Sequence, residues 1–277
     1  WVDSDVQGAI DAASPGDTLL IAPGTYAESL VVPAGSDGLT LIGCGSGANG
    51  DRPSFENPGD GTVDSPLNGI TVIGVDNVTM QGLDFVGWEE NGTFSSDADN
   101  IAHIDIGAYD TGAYGVFPVQ STGVVVELST IKGANDAGIY VGQSDDILVR
   151  YNETRDNVAG IEIENSSDAS VHNNLSMGNT AGLAIFKLPG LPVQFGDNHD
   201  IFHNVLIENN TPNFCGGGLV CNIPRGTGLL MFSNDDCDIH HNIMTGNDSL
   251  GMALLDQGII NFLAGNVFDE YSPDQTL

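Results

Sequence analysis

A repeat of 22 to 23 residues runs through the middle of the 277-residue chain and restricts its fold more than any other feature. An Ala-Gly pair followed by a short strand of alternating apolar residues begins at Ala137, Ala159 and Ala181. Asparagines keep the same spacing, as at Asn152 and Asn174. Repeats of this length with glycine, a short strand and recurrent asparagine are typical of a solenoid. The repeat therefore predicts an all-β parallel β-helix in which stacked asparagines join successive coils.

The first 17 residues differ from the repeat and predict a cap. Residues 4–13 have the pattern of a short amphipathic helix with Ser4 or Asp5 as its N-cap. A solenoid has to cover the apolar end of its first coil, so its terminal units differ from the internal ones. Because repeat signals continue through most of the chain, we predict a single domain over 1–277 that starts with a capping helix within 1–17.

Three insertions interrupt the regular spacing. From Gly182 to Asn204 there are 22 residues where other coils have 14, so eight extra residues fall within 188–195. Similar arithmetic predicts loop excursions at 210–227 and at about 87–111. Long loops in a regular fold are often functional, and we expect these to wall a groove on one face of the strand stack.

The charge of the chain excludes several partners. It has 38 Asp and Glu against six Lys and Arg, a formal net charge of −32. Nucleic acid and anionic membrane surfaces are excluded because both require a basic footprint. Two interpretations remain: carboxylate sites for Ca²⁺ or another hard cation, and the acidic surface that halophilic proteins carry. We favour the halophilic surface, because the acidic residues are spread along the whole chain.

Cysteine usage and hydropathy bear on location. Cys215 and Cys221 bracket a Gly-Gly-Gly-Leu-Val loop, and we expect a disulfide between them, as in an oxidising compartment. The alternative is that the thiols are unpaired and buried. No run of about 18 apolar residues is present, so we expect no transmembrane helix. We predict an extracellular or cell-surface location, although no export signal is visible in a sequence that begins at Trp1.

Several segments resemble a known group of proteins. They include Gly-Val-Phe-Pro-Val-Gln-Ser at 115–121, the copies at 136–144 and 157–166, Leu-Pro-Gly-Leu-Pro at 188–192 and Pro-Arg-Gly-Thr-Gly at 224–228. They resemble secreted right-handed parallel β-helix proteins of the pectate-lyase-like, carbohydrate-binding and sugar-hydrolase repeat superfamily. The resemblance implies that fold and a role in polysaccharide binding or modification. The Asp-Pro-His-Asp motif of alginate epimerases and the basic catalytic trio of pectate lyases are absent, so it implies no particular reaction.

Strand alternation predicts which side chains face outward. Tyr140 and Glu162 fall in one outward column, and Glu164 and Phe186 fall in the next. Gln143, Asn165 and Lys187 lie at the ends of the same strands, one to a coil. These strands therefore carry the most mixed outward chemistry of the stack, and we place the candidate site there.

Two chemistries fit this set. In the first, Glu162 and Glu164 hold Ca²⁺ against a uronate, Lys187 abstracts a proton and Tyr140 acts as the acid. In the second, Glu162 and Glu164 are the acid and base of glycoside hydrolysis. The remaining alternative is that both carboxylates are solvation charges and Lys187 is a surface ion-pair partner. The candidate substrate-binding residues are Gln143, Asn165, Phe186 and Arg225. No organic cofactor is expected.

The sequence thus predicts an extracellular β-helix that binds or modifies an acidic polysaccharide in high salt, in the manner of a lyase or epimerase. The alternative is a structural surface protein, such as a filament subunit or adhesin. A β-helix has two open ends, and self-association by end-to-end stacking would produce a fibre. The expected partners are accordingly a polysaccharide or further copies of the chain.

Overall fold

The chain winds into coils of three strands each, and every strand pairs in parallel with its equivalent in the next coil. The computed structural model describes residues 1–45, 51–59, 66–256, 262–268 and 274–276. Its strands form three parallel sheets of ten strands each, in which each strand lies beside the strand three further along the chain. This order is that of a β-helix, and the predicted all-β right-handed parallel β-helix is confirmed.

The three sheets run along the whole stack and are numbered here in order of appearance. Sheet 1 contains β1 (Thr18–Ile21), β4 (Thr40–Gly43), β7 (Thr79–Gln81), β10 (Ala102–Ile104), β13 (Thr122–Glu127), β16 (Asp145–Arg150), β19 (Ala169–His172), β22 (Asp200–Phe202), β25 (Asp238–His240) and β28 (Phe262–Ala264). Sheet 2 contains β2 (Gly24–Tyr26), β5 (Pro53–Glu56), β8 (Asp84–Val86), β11 (Gly107–Tyr109), β14 (Thr130–Lys132), β17 (Glu153–Arg155), β20 (Leu175–Met177), β23 (Val205–Ile207), β26 (Ile243–Thr245) and β29 (Val267–Phe268). Sheet 3 contains β3 (Leu30–Val32), β6 (Asn68–Ile73), β9 (Asn91–Ser96), β12 (Val116–Val119), β15 (Ala137–Gly142), β18 (Ala159–Glu164), β21 (Ala181–Phe186), β24 (Thr227–Phe232), β27 (Leu250–Leu255) and β30 (Asp274–Thr276).

The core follows from the alternation of side chains along sheet 3. Ile139 pairs in register with Ile161, which pairs with Leu183, and all three are buried inside the coil. Branched side chains at every second position fit the pleated inner surface of a sheet. Their neighbours Tyr140 and Glu162 point to the outer face, as predicted.

Two ladders of asparagines, all buried except the partly buried Asn266, join the coils at the corners. Asn152, Asn174, Asn204, Asn242 and Asn266 form the ladder between sheets 1 and 2, with each Nδ2 donating to the next Oδ1 over 2.9–3.0 Å. A second ladder, between sheets 2 and 3, runs from residue 157 through 179 and 209 to 247. The expected structural role of the recurrent asparagines is thus confirmed.

The N-terminal helix α1 (Val6–Ala12) packs on the first coil. Val6 and Ile10 are fully buried. The Asp5 side chain accepts a hydrogen bond from the backbone N–H of Gly8, and this identifies Asp5 as the N-cap. The helix is shorter at both ends than the predicted 4–13: Asp5 is its N-cap, and Ala13 is its C-cap with an extended backbone. Glu28 accepts hydrogen bonds from the first N–H groups, those of Val6 and Gln7. No helix of the described residues is long and apolar enough to cross a membrane.

The predicted excursion at 87–111 is wrong, because this region forms an ordinary coil with β9, β10 and β11. Its inward positions are polar, and this disguised the alternation. Thr93 and Ser95 lie within 3.2 and 3.4 Å of the two ring nitrogens of fully buried His103. Burial lowers the pKa of His103 to about 3, so the ring is neutral and satisfied within a polar layer of the core.

The other two insertions do leave the coil. Residues 187–199 connect β21 to β22, and residues 208–226 connect β23 to β24. We call them loop 187–199 and loop 208–226. The second contains a 3₁₀ helix, Leu219–Asn222, and a disulfide between Cys215 and Cys221. The predicted loop at 210–227 extends one residue too far, since Thr227 begins β24.

Candidate functional site

Loops 187–199 and 208–226 lie over the outer face of sheet 3 and enclose a pocket there. The pocket has a volume of about 280 Å³, and Tyr114, Asp136, Glu162 and Glu164 line it. The remaining lining residues come from the two loops, within 188–191 and 218–220. We call this the carboxyl pocket.

The strands β15 and β18 position three of the polar side chains. Register pairs Tyr140 with Glu162 and Gly142 with Glu164. The Tyr140 ring lies over Gly142, where a Cβ would overlap it. Glycine at this position therefore lets the phenol reach across to the next coil, where its hydroxyl donates to Glu164 Oε1 over 2.9 Å.

Glu162 is buried and retains a free oxygen. Its side chain is only 4% exposed, so it is not a solvent-facing charge. Among the residues that the structure describes, Glu162 Oε2 has no hydrogen-bond partner. Burial raises the pKa of Glu162 well above its usual range, and the charges of Asp136 and Glu164 raise it further. The acid form of Glu162 is accordingly favoured, and its Oε2 is available to a ligand.

Asp136 and Glu164 are the other two carboxyl groups of the pocket. Burial raises the pKa of Asp136 to about 7; a hydrogen bond with Tyr114 opposes this rise, and the charge of Glu164 adds to it. Burial also raises the pKa of Glu164, while the hydrogen bond from Tyr140 lowers it. The pocket thus combines a protonated carboxyl group with partners that ionise more readily, the arrangement that acid–base chemistry requires.

Aromatic rings form one wall beside these groups. The ring centroids of Tyr114 and Tyr140 are 4.8 Å apart, and Phe117 lies 4.6 Å from the first and 4.8 Å from the second. Burial raises the pKa of both phenols above the ordinary value, and the surrounding carboxyl groups add to the shift. Both tyrosines are therefore hydrogen-bond donors, and their packing holds the carboxyl groups in place.

Lys187 lies outside the lining of the carboxyl pocket. Its Nζ is 3.1 Å from Asp197 Oδ1 and 3.6 Å from Asp235 Oδ2. Burial lowers the pKa of Lys187, but the hydrogen bonds and charges of these two aspartates outweigh it and raise the pKa above the usual value. The structure thus does not bring Lys187 to the carboxyl groups, because loop 187–199 supplies an aspartate that holds the ammonium at the edge of the sheet.

The four residues predicted to bind substrate lie in different places. Asn165 anchors loop 187–199: its Nδ2 donates to the carbonyl oxygens of Leu188 and Val193 over 2.8 and 2.7 Å. Phe186 lines a neighbouring apolar pocket, Gln143 follows β15 with a partly buried side chain, and Arg225 is exposed in loop 208–226. None of the four lines the carboxyl pocket.

The calcium prediction rests on the pair Glu162 and Glu164. No group of three or more His, Cys, Asp or Glu side chains within the described part of the chain is arranged to hold a metal ion. Calcium binding therefore stays a prediction.

Two further pockets continue the carboxyl pocket along the stack. An apolar pocket of about 370 Å³ shares Leu188 and Leu219 with it. On the opposite side, a pocket of about 480 Å³ that includes Glu89 and Glu90 shares Asp136 with it. Among the residues that the structure describes, no lysine or arginine lines any of the three. Because neighbouring pockets share residues, they adjoin in a groove that runs from the corner before the strands β9, β12 and β15 to the outer face of sheet 3, with the carboxyl pocket in its middle.

Asp136 and Tyr114 line the carboxyl pocket but were not among the predicted site residues. Asp136 precedes the Ala-Gly pair of its coil, where the next coil has Val158 and the one after it Thr180. A carboxyl group at a position that is otherwise apolar or neutral was a usable signal. Tyr114 precedes Gly115, where the next coils have Ala137, Ala159 and Ala181, so an aromatic residue at an alanine position was a usable signal as well.

Comparison with known proteins agrees with the fold. Residues 60–194 match the family model described as a right handed beta helix region. A periplasmic alginate epimerase, AlgG, is 11% identical with a TM-score of 0.58, over 92% of this chain and 79% of that one. An alginate lyase from a Paenibacillus species is 17% identical with a TM-score of 0.58, over 96% of this chain and 95% of the lyase. The catalytic domain of an α-1,3-glucanase of family GH87, in complex with nigerose, is 12% identical with a TM-score of 0.53, over 95% of this chain and 58% of that one.

No curated protein matches the chain in a sequence search. At identities of 11–17% the structural likeness shows a shared fold. The chain is a right-handed parallel β-helix, as the resemblance implied. Because one fold can host many activities, its chemistry has to be inferred from the residues of the groove.

Proposed function

We propose that this protein binds a polysaccharide along the groove of sheet 3 and cleaves it at the carboxyl pocket, with Glu162 as the general acid. One observation carries the proposal: Glu162 is buried, its pKa is raised well above the usual range, and its Oε2 has no partner among the described residues. The β-helices similar in fold support it, since they are an alginate epimerase, an alginate lyase and a glucanase.

The chemistry follows from the different environments of the carboxyl groups. Glu162 donates its proton to the glycosidic oxygen as the bond to the anomeric carbon breaks. Glu164 takes a proton from the attacking water; burial raises its pKa, and the hydrogen bond from the Tyr140 hydroxyl opposes that rise. The water oxygen bonds to the anomeric carbon, and both chains leave with hydroxyl groups. Burial raises the pKa of Glu162 and so favours its acid form, and the charges of Asp136 and Glu164, when ionised, add to this.

The charge of the groove favours uncharged sugars in the carboxyl pocket. No lysine or arginine of the described part of the chain lines the three pockets, and the chain has a net charge of −32. A uronate would be repelled unless salt or a bound cation screened the field. The acidic polysaccharide expected from the sequence therefore becomes the second candidate, and a lyase-type reaction would yield an unsaturated product that hydrolysis does not form.

An extracellular, high-salt setting is part of the proposal. The Cys215–Cys221 disulfide supports an oxidising compartment, and the acidic composition supports high salt. The filament alternative receives less support, because α1 buries Val6 and Ile10 on the first coil. End-to-end stacking at that end would require the helix to move away.

The test compares Glu162→Gln with wild type on neutral and acidic glycans in molar salt. We expect reducing ends to be released from a neutral glycan, and the rate to fall about 10²-fold or more in Glu162→Gln, because the amide has no acidic proton to transfer. Glu208→Gln, at an exposed position outside the groove, is the matched control. Full activity in Glu162→Gln would refute the assignment. Unsaturated product from alginate would establish the lyase instead.

A further inference from the structure

The apolar pocket beside the carboxyl groups is not explained by polysaccharide binding alone. Ten of its eleven lining residues are apolar, and Asn222 is the exception. Sugar hydroxyl groups placed there would lose their hydrogen bonds to water and find almost no partners, which is costly. The pocket therefore selects an apolar group.

The two outward columns of sheet 3 change character at one coil boundary. Glu162 is followed in register by Ala184 and then Leu230. In the second column, Glu164 is followed by Phe186 and then Phe232. Coils lie about 4.8 Å apart, so an apolar surface begins one coil beyond the reacting groups. A ligand that reaches both surfaces has a polar end over β18 and an apolar end over β21 and β24.

Loop 208–226 closes this surface into a cavity. Ile223 and Leu219 of the loop line the apolar pocket, and Leu219 also lines the carboxyl pocket. The Cys215–Cys221 disulfide holds the same loop. Loop 208–226 consequently covers both the carboxyl pocket with Glu162 and the apolar pocket.

Exposed apolar side chains on both loops provide a second observation. Phe195 of loop 187–199 and Phe214 and Leu219 of loop 208–226 are 52%, 40% and 55% exposed. Of these three, Leu219 lines the apolar pocket, so the loop presents an exposed apolar side chain at the edge of that pocket.

We propose that the substrate carries an alkyl or acyl chain on its sugar, and that this chain occupies the apolar pocket while the sugar lies at the carboxyl pocket. This inference rests on the proposed function for the position of the sugar. The occupant is a single chain rather than a protein segment, since the cavity is only about 370 Å³. From β21 to β27 the pocket spans about 10 Å, which suits a chain of medium length.

Binding of alkyl glucosides tests the proposal without requiring turnover. Calorimetry of butyl, hexyl and octyl glucoside, each below its micelle concentration, should show affinity rising about fourfold for every added methylene group. Free glucose should bind far more weakly than octyl glucoside. An affinity that does not change with chain length would overturn the proposal.

Two variants place the binding in this pocket. Ala253→Trp should fill the cavity and Leu230→Asn should make its wall polar; each should lower octyl glucoside affinity at least tenfold and change glucose binding little. Ile73→Asn is the matched control, because Ile73 is an exposed residue of sheet 3 outside the pocket. Thermal unfolding confirms that each variant is folded. Unchanged octyl glucoside binding in both folded variants would contradict the assignment.

The remaining arms separate the possible outcomes. Glu162→Gln should retain the chain-length dependence even where it abolishes cleavage, so failure of the catalytic proposal and failure of this one are distinguishable. A synthetic acylated oligosaccharide and a short-chain glycolipid should both bind, and their relative affinities identify the natural source of the chain. Binding to phosphatidylcholine vesicles without binding of monomeric octyl glucoside would indicate a membrane-docking surface and refute the proposal.

Discussion

Glu162 and Asp136 show how a strongly acidic chain can hold neutral carboxyl groups. Both have a raised pKa, chiefly through burial under the loops and also through the charges of neighbouring carboxyl groups. Protonation therefore makes the pocket less negative than its composition suggests. The same environment that destabilises the charge makes Glu162 suitable as an acid.

Stability should report the raised pKa of Asp136. The folded-state pKa is about 7 and the usual value is 3.8, so the folded state binds more protons between these limits. The stability that protonated Asp136 contributes is present below about pH 4 and is lost as the pH rises toward 7. We expect a loss of roughly 3 kcal/mol, which is less than the full pKa difference would give because solvent reaches part of the side chain. Asp136→Asn, which still accepts from Tyr114, should be more stable than wild type at pH 8 and similar at pH 4. Urea unfolding at several pH values measures this.

Asp248→Asn is the control for that measurement, since it removes one negative charge at an exposed position. A pH profile of Asp136→Asn that runs parallel to wild type would show that Asp136 is not the group responsible.

At the scale of elements, the asparagine ladders hold the coils in register. Asn174 Oδ1 accepts from both the backbone N–H and Nδ2 of Asn152, and its own Nδ2 donates to Val149 O and Asn204 Oδ1. Each ladder residue thus satisfies backbone groups at a corner where the sheets cannot. The ladders replace side-chain packing at the turns and leave the sheet faces available for the site.

Asn174→Ala should lower the free energy of unfolding by roughly 3 kcal/mol or more, because it removes four buried hydrogen bonds and leaves their partners unsatisfied. Asn135→Ala provides the comparison: Asn135 is exposed, and its replacement should change stability by less than about 0.5 kcal/mol. Denaturant unfolding of both variants measures the difference. Equal effects would mean that the ladder contributes no more than a surface residue.

Across the whole molecule, the excess of negative charge opposes the compact state. With a net charge of −32, repulsion between the carboxylates is strong at low ionic strength. At 0.1 M salt the electrostatic screening length is about 10 Å. At 1 M it falls to about 3 Å, and repulsion between neighbouring surface carboxylates largely disappears. Stabilisation by molar salt is characteristic of a halophilic surface, and we predict such a surface for this chain.

The melting temperature should therefore rise steadily as KCl is raised from low concentration to the molar range. Sucrose at equal osmolality serves as the control, since it does not screen charge. A melting temperature that is constant or falls with KCl would contradict the halophilic interpretation.

Adding Ca²⁺ or EDTA at fixed ionic strength tests the calcium prediction, which requires that Ca²⁺ stabilise the protein more than Mg²⁺ does.

Regular features were predictable wherever the inward positions are apolar. The period, the outward placement of Glu162 and the Cys215–Cys221 disulfide all follow from local pattern. The coil at 87–111 was missed because Thr93 and Ser95 occupy inward positions and pair with buried His103. Alternation of apolar and polar residues identifies a strand only where its inward side chains are apolar. Inward polar side chains that pair with a histidine further along the chain therefore leave no local pattern.

By itself, the sequence determined the β-helix and the column in which each outward side chain lies, because both depend on a period that repeats from coil to coil. Only the tertiary structure decided which outward side chains meet. Loop 187–199 draws Lys187 to Asp197, while Asp136 joins Glu162 in the carboxyl pocket. Loop 208–226 covers that pocket and the apolar pocket beside it. Burial under a loop sets the pKa of a carboxyl group, and the course of a loop over distant coils is not contained in the repeat.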